Sequence, residues 1–193
     1  MKSTKLILLF LLLVLPVLVY LFLQGFGKNH FAIPVYYQQG LTKHYHGCDS
    51  INTNEAYRID RSALNLILDE DLSASIAVYE IGNRDSETLK NNLYTFLEKY
   101  KEKSDVKLIS IKKEMDTTNF TSKYSSWKRF NLPDSDLINI GRCILQLNFD
   151  STLKSDSGLV LVDRQQQIRG YYDPYVLKEI DRLNTELYIL LSE

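Results

Sequence analysis

The sequence predicts an α/β domain carried behind a single N-terminal transmembrane helix. Three observations predict it: an apolar run from Leu6 to Leu23, a strand, helix and strand in succession between 73 and 111, and a closing hairpin followed by an amphipathic helix. The chain has 193 residues and a formal net charge of -1, with acidic and basic residues mixed along it. No basic face argues for nucleic acid, so that class of partner is set aside. The reading divides the chain into a cytoplasmic stub at 1–5, an anchor at 6–26, a connecting region at 27–72 and a domain at 73–193.

The apolar run would span about 27 Å as a helix, close to the hydrocarbon thickness of a bilayer. Pro16 would kink that helix without forbidding it. A cleaved signal peptide should have a shorter apolar region that ends in small residues, whereas this one ends in Tyr20, Leu21, Phe22 and Leu23. The expectation is an uncleaved anchor. Lys2, Lys5 and the amino terminus outnumber Lys28 on the other side, so the C-terminal domain is expected across the membrane, in the periplasm if the source is bacterial.

Residues 28 to about 72 contain short extended pieces, "IPVYY" (33–37) and "AYRID" (56–60), and no long helical period. "SASIAVYEI" (73–81) is rich in β-branched and apolar residues and reads as a buried strand. A helix is expected from about Ser86, which supplies an N-cap, with Leu89, Leu93, Phe96 and Leu97 as its apolar stripe. "DVKLISI" (105–111) is a second strand, completing a β-α-β crossover. A helical stretch is expected near 117–129, and a further helix from about 136 to 147, capped by Asp134 or Ser135. "GLVLVDRQQQIRGYYD" (158–173) reads as a hairpin. Asp173 and Pro174 then signal a helix whose buried face is Val176, Leu177, Ile180, Leu183, Leu187 and Leu190. This order of elements is that of a thioredoxin-like fold.

Two stretches bear on chemistry. "KHYHGCDS" (43–50) holds two of the three histidines and one of the two cysteines. In an extended segment His44, His46 and Cys48 share a face, and imidazole with thiolate suits copper or zinc. The competing reading is a solvated segment between anchor and domain. "GNRDSE" (82–87) places Arg84 and Asp85 at a helix N-terminus, where anions are attracted; an ordinary strand-to-helix turn is the plainer reading. His30 reads as interfacial, and Trp127 and the tyrosines as packing. Cys143 reads as core on an amphipathic helix, although a Cys48 to Cys143 bridge stays open in an oxidising compartment. No Ser-His-Asp arrangement is available, since every histidine precedes residue 47.

The closing segment "LVLVDRQQQIRGYYD" with "VLKEIDRLNTELYILL" resembles the C-terminus of Sco/SenC proteins, membrane-anchored copper chaperones of cytochrome oxidase assembly. The leader "LLLVLPVLVYLFLQGFGKNHFAIPVYY" is similar to that of some bacterial members, and "VKLISI", "EMDTT" and Trp127 follow their middle region. The resemblance implies a thioredoxin-like domain, a single-pass protein of the bacterial cytoplasmic membrane, and a protein partner in a respiratory or envelope complex. It also implies a copper and redox site made by two cysteines of a C-P-x-x-C-P loop and a later histidine. Here those positions fall on Gly82, Ser86 and about Ser155, and the acidic residue and proline that usually follow the second strand are replaced by Lys112 and Lys113. A thiol-disulfide cycle at that loop is excluded, because it needs a thiolate. The expectation is a binding or assembly module with a degenerate copper site, with no enzyme activity and no small-molecule substrate. The alternative is a copper-binding or redox assembly factor using His44, His46 and Cys48.

Overall fold

A computed structural model describes residues 2–26, 33–41, 48, 55–68, 75–82, 86–114, 122–149 and 158–192. It divides into two compact units, Met1–Ala32 and Ile33–Glu193.

The first unit is helix α1, Lys2–Phe26, with Pro16 inside it. Its described side chains are Lys5, those of 10–22 and Gln24, and from 10 to 22 all are exposed except the half-buried Val14. Among the described residues no helix is long and apolar enough to cross a membrane. The helical part of the expectation holds, and the described residues do not carry its membrane-spanning part.

The second unit is built on one five-stranded sheet of order β3-β2-β1-β4-β5. Strand β1 (Ile76–Ile81) is central and buried throughout, which is why its sequence is nearly continuously apolar. It pairs in parallel with β2 (Val106–Lys113) through the crossover helix α3 (Glu87–Tyr100), as the sequence predicts. On its other side it pairs antiparallel with β4 (Leu159–Val162), which forms the expected hairpin with β5 (Ile168–Tyr172). Alternation along β1 sends side chains to two cores. Ile76 and Val78 pack with Leu89, Leu93, Phe96 and Leu97 of α3 and with Ile180, Leu183 and Leu187 of the last helix. Ala77, Tyr79 and Ile81 pack on the opposite face with Leu64, Leu68, Leu137 and Ile140.

Four expectations are corrected. The region read as a connector with short strands and no long helical period contains a helix, α2 (Arg61–Leu68), whose eight residues are too short for a helical period to stand out, and the region contributes Leu41, Tyr57, Ile59, Leu64 and Leu68 to the core. The helix expected near 117–129 gives way, where described, to strand β3 (Trp127–Leu132), parallel to β2 with Trp127 opposite Leu108. Aromatic spacing in "WKRF" imitates a helical period, but β2 offers an unpaired ladder that a strand satisfies. The helix expected at 136–147 is a short α4 (Asp134–Ile138) running into a π-helical segment, Asn139–Ile144, and its N-cap is Pro133, with no side-chain cap. Finally, α5 begins at Leu177 rather than at Pro174. Asp173 accepts the N–H of Tyr175 in a tight turn, and Val176 and Leu177 stand 44 % and 62 % exposed instead of buried.

Candidate functional site

The carboxyl end of β1 and the amino end of α3 meet at Gly82 and Ser86. Ser86 is the N-cap of α3, its Oγ accepting the N–H of Leu89 at 3.1 Å. That hydroxyl therefore has a structural task. Glu80 of β1 and Lys112 of β2 form an ion pair at 2.6 Å, with each side chain only 3 % exposed. A Cβ placed on Gly82 would lie 3.8 Å from Glu80 Oε1, so the position where a first cysteine would stand faces a carboxylate. Alongside, Trp127 Nε1 donates to Ser110 Oγ at 2.9 Å, and Lys113 pairs with Asp134 at 2.6 Å. The strand ends thus present carboxylates paired with ammonium groups, and hydroxyls that accept from an indole and from a backbone N–H. Carboxylate and hydroxyl are hard donors that do not select copper.

The architecture matches two solved structures. One is a SCO1/SenC family lipoprotein from Bacillus anthracis, at a TM-score of 0.51 and 15 % identity over 63 % of this chain and 84 % of that one. The other is BsSco, described as a member of the Sco family of cytochrome c oxidase assembly proteins, at 0.51 and 14 % over 63 % and 82 %. The fold is Sco-like. No family model and no curated protein matches the sequence.

Within this Sco-like fold the predicted site residues part company. Gly82 follows the end of β1 and Ser86 caps α3. Ser155, Arg84, Asp85, His44 and His46 lie outside the described residues. Among the described residues no group of three metal-ligating side chains is assembled. Cys48 is joined to Cys143 in a disulfide with its Cα atoms 5.4 Å apart, so the bridge left open by the sequence is made. In that state Cys48 is not a thiolate, and the proposed ligand trio lacks its sulfur donor. Cys143 is half-buried in the π-helical segment rather than in the core of an amphipathic helix.

The bridge sits on the sheet face opposite α3. Around it, tyrosines bind the carbonyls that the π-helical turn leaves free. Tyr57 Oη donates to the carbonyls of Cys143 and Ile144 at 3.1 and 2.6 Å, Tyr171 Oη to that of Leu145 at 3.0 Å, and Gln146 Nε2 to that of Cys143 at 2.8 Å. Burial pushes the Tyr57 hydroxyl up to about 12, and burial with the neighbouring Tyr37 hydroxyl pushes Tyr171 higher still. These groups stay neutral donors at ordinary pH.

Two polar clusters escaped the sequence reading. Arg169 pairs with Asp163 at 2.9 Å and donates to the carbonyls of Ile33 and Pro34, while Arg61 reaches the carbonyls of Ser75 and Asp163. Together they fasten the start of the domain and α2 to the hairpin. The Glu80 and Lys112 pair left a readable signal: opposite charges at core-facing positions of two adjacent strands, in step with Ile76 and Val78 and with Val106 and Leu108.

Proposed function

We propose that this chain is a membrane-tethered, Sco-like binding or assembly module for a cytochrome oxidase or envelope complex, without the copper and redox loop of the proteins it resembles. The observation that carries the reading is the chemistry of these positions: Gly82, beside the Glu80–Lys112 ion pair, and Ser86, a helix cap, stand where thiolates would be needed. A protein with this scaffold and no ligands at that position acts through what it touches. Exposed apolar side chains along α1, including Phe10, Leu12, Leu13 and Tyr20, support tethering by a single helix in the bacterial cytoplasmic membrane. The Cys48–Cys143 bridge supports an oxidising compartment for the domain, the periplasm in this reading. The relocated copper site at His44, His46 and Cys48 is the second reading, and it requires the bridge to be open.

The test is to solubilise the full chain from membranes and measure retained proteins and copper. The expected result is carbonate-resistant membrane association, co-purification of a multisubunit complex and no stoichiometric copper. Stoichiometric Cu(I) that vanishes in both His44→Ala and His46→Ala would overturn the reading in favour of the second one.

A further inference from the structure

The loop at Gly82 and Ser86 has no sulfur, yet the chain's two cysteines are both committed to one bond elsewhere. Both cysteines are half-buried rather than buried, so the bond joins residues that solvent reaches. The segment that carries Cys143 is held by contacts other than that bond. On one side of Cys48, Leu41 is buried in the core. On the other, Tyr57 and Ile59 are buried, and their N–H groups donate to the carbonyls of Tyr37 and Gln166 at 3.0 and 2.9 Å. Cys143 is held independently of its sulfur, because Tyr57, Tyr171 and Gln146 grip the carbonyls of residues 143–145, and Leu145 N–H closes on Ile140 O at 2.8 Å. Opening the bond therefore leaves Cys143 on an anchored segment and Cys48 on a stretch of chain tied down at Leu41 and at Tyr57, where reclosure is intramolecular.

We infer that Cys48–Cys143 is a reversible thiol-disulfide exchange site, placed on the face of the sheet opposite the loop where the fold's relatives carry theirs, with a dithiol as its reaction partner. The thiolate of the incoming dithiol attacks one sulfur of the bond, forms a mixed disulfide and expels the other sulfur as a thiolate, which takes a proton from water. The second thiol of the partner then loses its proton and displaces the first cysteine. Two electrons pass from the dithiol to the protein, which gains two thiols, while the partner becomes a disulfide; the reverse sequence oxidises the protein. This site stands whether or not the assembly role holds, since it requires only the described contacts.

The experiment is reduction of the full chain in detergent by dithiothreitol, with thiols trapped and counted by mass spectrometry. Exchange on the folded protein predicts release of two thiols per chain, a rate that doubles when dithiothreitol doubles, and no change in that rate at urea concentrations below the unfolding transition. A rate that climbs exponentially with sub-denaturing urea means that the bond opens only through global unfolding, and it overturns the inference. Cys48→Ser supplies a second arm: its remaining Cys143 should form a mixed disulfide with oxidised glutathione while the far-ultraviolet circular dichroism stays that of the parent. A correctly folded Cys48→Ser chain that fails to form the adduct also overturns it.

Discussion

Glu80 and Lys112 show how a single residue choice sets the character of the strand ends. Each charge is withdrawn from water and paired with the other at 2.6 Å. Removing one partner strands the other. Lys112→Met is therefore expected to lower stability by about 3–5 kcal/mol in urea titration, while Glu80→Leu combined with Lys112→Met should recover most of that loss. If Lys112→Met and the double variant are equally destabilised, the two charges do not act as a unit. A cysteine placed at Gly82 would have its Cβ 3.8 Å from Glu80 Oε1, beside a carboxylate.

Among the elements, the π-helical segment after α4 is the one whose geometry a single methyl group can test. The ring of Phe149 packs directly on the Cα of Gly141, and a Cβ there would collide with it. Gly141→Ala should cost about 1–3 kcal/mol through overpacking, read as a lowered urea midpoint with an unchanged slope. An unaffected midpoint would mean that Phe149 moves aside freely. Some elements announce themselves in sequence and others do not. For α3, the Leu89, Leu93, Phe96 and Leu97 stripe, the Ser86 cap and the charge order all agree, and helix and cap are where they were expected. For β3, "WKRFNL" carries no clean alternation; its strand state is decided by the free edge of β2. For α5, proline in the first turn was a sound helix signal, but Asp173 spent its side chain on the Tyr175 N–H, and the helix starts later.

For the whole molecule, stability toward alkali follows from its buried tyrosines. Burial pushes the hydroxyls of Tyr57, Tyr79 and Tyr100 up to about 12. A group whose pKa is raised in the folded state stabilises that state fully below the unfolded value near 10, and the contribution is lost as pH climbs through the folded value. The domain should therefore hold its fold to about pH 10 and lose stability between about 10 and 12. The tyrosinate absorbance that Tyr57, Tyr79 and Tyr100 contribute should rise together with loss of circular dichroism; ionisation of these three by pH 11 with the fold intact would refute it.

The sequence by itself determined the order of β1, α3, β2, the β4–β5 hairpin and α5, because periodicity, caps and turns are local and act within a few residues of chain. It determined also that the Gly82–Ser86 loop has no thiol to offer. Only the tertiary structure decided that Cys48 meets Cys143 across 95 positions, that Glu80 meets Lys112 across neighbouring strands, and that residues after Ile33 help build the core. Such pairings depend on which distant segments the sheet order brings side by side, and no local pattern encodes that. The "HYHGC" stretch was the most conspicuous chemistry in the sequence. What the fold settles is its cysteine, which is engaged with a partner that local reading had assigned to the core.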